Sequence, residues 1–234
     1  FVDMLVAVDI SKSMMADDIY PNRFEFEKNK LFSFLDELKN IRVALVGFSS
    51  QTFLISPLTE DFNSLKFLVK NLRFDYLNLK GTNIKSVLEV TDDLLKDEKN
   101  KILLIFTDGG NEDNFKNEIA YAKTHNITVY IYNIGTLNGG IIKDDNENSV
   151  LVKLNENIKK LALDTNGAYL QQSLNQDDIK QLSEIINNNY KAEKEKEDVI
   201  KDEKELFIYP LVLAIILFFM GIFSLPRRVS WEYL

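Results

Sequence analysis

Residues 2–13 read VDMLVAVDISKS: an apolar run that closes on an aspartate and two serines at alternate positions. A short continuous apolar run suits a strand buried on both faces, as in a parallel sheet. When such a strand closes on Asp9, Ser11 and Ser13, its end is either a polar turn or a metal site. The rest of the chain bears on that choice.

Three further runs have the same character: RVALVGF (42–48), KILLIFT (101–107) and TVYIYNI (128–134). QTFLISPL (51–58) follows the first of these after almost no loop, so the two form an antiparallel hairpin. Pro57 fits the end of an edge strand there. AYLQQ (168–172) is the last strand. Amphipathic segments fill the gaps. Asn22 followed by Glu25 predicts a capping box, and Phe24, Leu31, Leu35 and Leu38 then share one helical face. Further helices are predicted over 62–71, 84–96, 115–125 and 156–164, with Gly167 stopping the last of these and a final helix starting near Asp177. GTLNGGIIKDDNENSVLV (135–152) reads as an exposed hairpin or loop. The alternation gives an α/β fold, an open and mostly parallel sheet with helices on both faces.

The chain of 234 residues divides into zones. Residues 1–188 form the globular domain. Residues 189–205 are almost wholly charged, and their lack of Gly or Pro favours a solvated helix over a tether. Residues 206–225, LFIYPLVLAIILFFMGIFSL, carry no charge. Their length matches a bilayer at about 1.5 Å per helical residue, which predicts a transmembrane helix. Residues 226–234 are then a short tail. Arg227 and Arg228 orient that tail to the cytoplasm, with Trp231 and Tyr233 at the interface and the large domain outside. Phe1 opens directly into an apolar run, so the chain is expected to be a piece of a longer one, whose upstream membrane segments would not be visible.

Composition narrows the chemistry. A net charge of −8 argues against nucleic acid. The absence of cysteine removes disulfides, thiolates and zinc–cysteine sites. The single histidine, His125, falls where a helix ends and reads as a surface residue. With neither a second histidine nor a cysteine, most triad and zinc hydrolase schemes fail. No phosphate-binding or dinucleotide glycine motif is present.

In an open α/β sheet, ligands bind beyond the carboxyl ends of the strands. Asp9, Ser11 and Ser13 fall there, as do Thr107, Asp108 and Gly109. Gly81 and Thr82 precede a helix and lie in a loop at one end of the sheet or the other. Carboxylate and hydroxyl oxygens suit Mg²⁺, with Mn²⁺ as a substitute. Two aspartates balance one divalent ion, and a partner's carboxylate would complete its shell.

DISKS (9–13), GT (81–82) and TDGG (107–110) resemble the von Willebrand factor type A domain and its metal-ion-dependent adhesion site. The resemblance implies that Asp9, Ser11, Ser13, Thr82 and Asp108 hold the ion, directly or through water. It also implies a Rossmann-like six-stranded sheet ordered 3-2-1-4-5-6 with strand 3 antiparallel. SMMADDIYPNR (13–23), PLTEDF (57–62) and LALDTNGAY (161–169) are similar to the membrane-anchored Bat family, named for Bacteroides aerotolerance. That likeness implies a cell-envelope role, with other type A proteins and a MoxR-type ATPase as partners. For Asp17, Asp18, Asn22 and Arg23 the plain roles are turn formation and helix capping; the sharper one is a ligand-facing rim.

The functional expectation is a membrane-anchored, Mg²⁺-dependent module that binds an acidic residue of a protein partner. A surface adhesin using the same site is the alternative. An enzyme is not expected: haloacid-dehalogenase phosphatases share the strand-end aspartate but need a second acid two residues later, where this chain has Ser11.

Overall fold

β1 (Val2–Asp9) is buried along its whole length, and its place in the sheet explains why. The computed structural model describes residues 2–72, 81–144, 146–201 and 208–224. Its further strands are β2 (Ile41–Phe48), β3 (Thr52–Thr59), β4 (Lys101–Thr107), β5 (Ile127–Asn133), β6 (Gly140–Lys143), β7 (Ser149–Val152) and β8 (Tyr169–Gln171). Six of them form one sheet in the order β3-β2-β1-β4-β5-β8. β1 lies between β2 and β4, parallel to both, while β3 returns antiparallel along the edge of β2. The sixth position belongs to β8 because β6 and β7 form a separate antiparallel pair, the hairpin expected over 135–152.

Side-chain alternation along β1 divides the core. Met4, Val6 and Val8 point into one layer, and Leu5 and Ala7 into the other. The first layer is covered by α1 (Arg23–Glu37), by Leu65 and Val69 of α2 (Phe62–Lys70), and by Ile179, Leu182 and Ile186 of α6 (Asp177–Lys201). The second is covered by α3 (Ile84–Leu94), α4 (Lys116–Thr124) and α5 (Lys159–Asp164). Each fully buried Leu or Ile in these layers contributes about 1.5–3 kcal/mol. The burial on both faces is what the continuous apolar runs required.

Local details refine the expectations. Asn22 caps α1 by accepting the Glu25 N–H at 2.8 Å, but the Glu25 carboxylate pairs with Lys28, so only half of a capping box forms. The turn after α5 places Asn166, at φ 62°, in the left-handed region. Gly167 is needed there for close approach, since a Cβ on it would stand 1.9 Å from the Val129 carbonyl oxygen of β5. His125 ends α4, stacked on Tyr121 with ring centroids 4.0 Å apart.

The chain divides into two compact units, 1–190 and 191–234. α6 is helical through Lys201, which gives the charged stretch its expected conformation that far. α7 (Ile208–Ser224) has 17 residues, and residues 210–221 are exposed. Among the described residues no helix is long and apolar enough to cross a membrane. The span expected over 206–225 also includes Leu206, Phe207 and Leu225, which lie outside the described residues, as do Arg227, Arg228, Trp231 and Tyr233.

Candidate metal centre

The parallel register sets Val8 beside Phe106, so the β1 and β4 chains leave the sheet side by side and bring Asp9 next to Thr107. Asp9 is fully buried. Its Oδ1 accepts the Ser11 N–H at 2.8 Å, which folds the DISKS turn back on the strand end. Its Oδ2 accepts the Thr107 hydroxyl at 2.6 Å. The Ser11 and Ser13 hydroxyl oxygens lie 3.1 Å apart.

The TDGG loop is shaped by its own side chains. The Thr107 hydroxyl oxygen accepts the Gly109 N–H, and Asp108 Oδ1 accepts the Gly110 N–H, both at 3.0 Å. These tight turns set Gly109 at φ 89° and Gly110 at φ 61°, where a Cβ is strained. Space excludes one as well: a Cβ would meet the Asn155 carbonyl oxygen at Gly109 and the Thr82 Cβ, 2.9 Å away, at Gly110. Thr82 is thus packed onto the loop that carries Asp108. The loop before α3 is held by the Asn83 N–H donating to the Ser49 carbonyl at 2.7 Å. All five predicted residues therefore gather at one edge of the sheet; Thr82 joins by packing and the other four through hydrogen-bonded turns.

Two residues of α1 adjoin the site: Arg23, one of the rim candidates, and Glu27, which no motif in the sequence singles out. Arg23 is fully buried. It donates Nε and Nη2 to the two Asp18 oxygens at 2.7 and 2.9 Å, and Nη1 to Asp108 Oδ2 at 2.8 Å. Asp18 in turn accepts the Thr136 N–H and hydroxyl. In the ADDIYPNR stretch Asn22 takes the capping role, Asp17 accepts the Ile141 N–H of the hairpin, and Asp18 and Arg23 tie that region to the β4 loop. Glu27 is also fully buried. Its Oε1 accepts the Asp9 N–H at 3.0 Å, and its Oε2 has no partner. One signal for both was legible: Arg23 and Glu27 precede Leu31 and Leu35 at four-residue intervals, so both charges fall in the apolar stripe of the helix.

The electrostatics are those of crowded acids. Burial, then the charge of Asp108, pushes the Asp9 carboxyl from 3.8 up to about 7. Burial, then Asp9, raises Glu27 well above its usual range. Burial works against the charge of Asp18 too, but the Arg23 hydrogen bonds prevail and hold its carboxyl below the usual value. Among the described residues no three His, Cys, Asp or Glu side chains are arranged to hold a metal ion; the predicted set has two carboxylates and three hydroxyls. That set fits a hard divalent cation, because its donors are all oxygen and a cation would offset the charge that burial disfavours. An open cavity of about 380 Å³ runs beside the site, lined by Gly110, Glu112, Asp113, Val152, Lys153 and Asn155 among others.

Comparison with known proteins agrees with this architecture. Residues 4–111 match the von Willebrand factor type A domain. The fold is similar to that of an aerotolerance-related membrane protein from Bacteroides fragilis, with 25% identity and a TM-score of 0.73 over 80% of this chain and 100% of that one. It is also similar to BatB from Bacteroides thetaiotaomicron, with 25% identity and a TM-score of 0.74 over 82% of this chain and 100% of that one. A von Willebrand factor type A protein from Catenulispora acidiphila, 19% identical, shares the fold at a TM-score of 0.52 over 78% of this chain and 40% of that one. No curated protein matches the chain in sequence. With its sheet order and its strand-end acids, the chain carries a match to the von Willebrand factor type A domain over residues 4–111, in a fold similar to that of the Bat-type proteins.

Proposed function

We propose that the chain is a membrane-anchored protein-binding module that holds Mg²⁺ at Asp9, Ser11, Ser13, Thr82 and Asp108 and takes a partner's carboxylate as a further ligand. The observation that carries this is the junction of the two strand-end loops, where the buried Asp9 accepts from Ser11 and Thr107 with Asp108 alongside. A bound ion would supply positive charge to acids that burial otherwise disfavours. Residues for a partner to grip lie close by. Asp17 and Arg23 bond the β6–β7 region, whose cross-strand pair Ile141 and Leu151 is exposed at 56% each. An acidic side chain at the ion with an apolar neighbour on the hairpin would bury that pair.

The likeness to an aerotolerance-related membrane protein supports a place in the cell envelope. In this proposal residues 206–225 anchor the chain, Arg227 and Arg228 face the cytoplasm, and the domain lies outside it. Other type A proteins and a MoxR-type ATPase are the proposed partners. The full chain in detergent, titrated calorimetrically with Mn²⁺, tests the site. Binding is expected in the native chain and should be lost in Asp9→Ala with the fold intact by circular dichroism. Unchanged binding in the variant would remove Asp9 from the site.

A further inference from the structure

We propose that Arg23 is a built-in counter-cation of this centre: it holds Asp108 Oδ2 in the metal-free protein and sets the affinity for the divalent ion by competing with it for that carboxylate. The inference rests on the metal site proposed above. A guanidinium does not give up its charge in a protein, so a fully buried arginine is a permanent cation. Its surroundings are built to hold it. Asp18 grips it through two parallel bonds of 2.7 and 2.9 Å, and the Val152 carbonyl accepts Nη2 at 3.1 Å. Gly135 lies flat against it, and a Cβ there would stand 3.0 Å from Cζ. To Asp108 the guanidinium gives only one bond, from Nη1 at 2.8 Å.

That asymmetry decides which partner can leave. Two-point pairing with Asp18 is the stronger and more directional contact, and Asp18 is itself fixed by Thr136. When a divalent ion draws on Asp108, one N–H···O bond is lost and the Asp18 fork remains. The arginine is therefore a fixed positive charge beside the ion, and repulsion in a poorly solvated site weakens ion binding. Asp18 acts in the opposite sense, because it neutralises the guanidinium. Arg23 and Asp18 are positioning residues whose removal shifts ion affinity in opposite directions, although removing either weakens the fold.

The test is Mn²⁺ titration of the full chain in detergent, with thermal unfolding in EDTA as a second readout. Arg23→Gln is expected to bind Mn²⁺ about tenfold more tightly or better, to melt earlier in EDTA, and to regain more of its melting temperature on adding Mn²⁺ than the native chain does. Asp18→Asn is expected to bind about tenfold more weakly. A merely structural role predicts weaker binding in both variants, and that result overturns the proposal. If Arg23→Gln does not fold, Asp18→Asn can still overturn the proposal, which unchanged or tighter binding there would do. Equal affinity in all three chains removes the arginine's role and leaves the metal site standing. No binding in any chain, the native one included, overturns the metal site and this inference with it.

Discussion

Helix α1 reaches two buried ionic clusters, and they are built on different rules. At its middle, Lys30 donates to both Asp178 oxygens at 2.8 and 2.9 Å and to the Asn175 carbonyl. Asp178 also accepts Tyr132 Oη and the N–H groups of Ser173 and Ile179. Every oxygen of that acid is matched, and the result fastens the start of α6 to α1 and β5. At the N-terminal end of α1, Arg23 faces Asp18 and Asp108, with Asp9 and Glu27 buried alongside and Glu27 Oε2 unpartnered. The first cluster is saturated and holds elements together. The second has more acid than cation, and that shortfall is the physical basis for expecting a ligand there.

The strongest way to break this contrast is to remove the cation from the saturated cluster. Lys30→Met leaves Asp178 buried without its charge partner, which should cost about 3–5 kcal/mol in urea unfolding. Mn²⁺ affinity should not change, since no residue of the metal set touches Lys30. A cost below about 1 kcal/mol would mean that the pair is not a clamp and that the distinction between the clusters fails.

Next in size is the pH dependence, which should have opposite signs for Asp9 and Asp178. Asp9 has a folded-state pKa of about 7 against 3.8, so the folded chain binds the extra proton between those values. Its contribution is fully present below about pH 4 and is lost as pH rises through 7, on the order of 2–4 kcal/mol without metal. Burial disfavours the charge of Asp178, but Lys30 and Tyr132 outweigh it and hold its pKa below 3.8. Its contribution is present above that value and is lost as pH falls through the depressed pKa. The stability of the metal-free chain in EDTA should therefore fall from pH 5 to 7.5, and Asp9→Asn should flatten that slope. A slope unaltered in Asp9→Asn would assign the proton to another group, with Glu27 next in line.

The sequence shows the saturated and unsaturated clusters to different degrees, for a physical reason. Continuous apolar runs announced the buried strands, and the near-zero loop between β2 and β3 announced the hairpin. DISKS and TDGG gave the site its position because strand ends project polar side chains into one crevice. Thr82 could be placed only in a loop from the residues themselves and reached the site through the resemblance, since its contact with Gly110 depends on how α3 packs. Arg23, Glu27 and Lys30 look like ordinary solvated helix residues until the period is followed through Leu31, Phe34 and Leu35. Asp178 lies 148 residues from Lys30, and no local pattern links positions so distant. Pairings of that kind are set by topology, which a single sequence states only through the order of its strands.

The finest test deletes one hydroxyl from each cluster. Tyr132→Phe removes a donor from an acid that keeps Lys30 and two backbone N–H groups, so about 1 kcal/mol should be lost. The loss should be the same in EDTA and in Mn²⁺. Thr107→Val is nearly isosteric and leaves no cavity, but it strips a donor from Asp9 Oδ2 and an acceptor from the Gly109 N–H. In EDTA it should cost about 1–2 kcal/mol. Losing a donor makes the Asp9 carboxylate a stronger base, and a stronger base binds a cation more tightly. If Mn²⁺ substitutes for the lost hydroxyl as the partner of Oδ2, the cost of Thr107→Val should shrink in its presence while that of Tyr132→Phe does not move. A Thr107→Val cost that grows with Mn²⁺ would show that the hydroxyl orients Asp9 for the ion and does not merely offset its charge. Equal behaviour of the two variants would erase the difference between the clusters altogether.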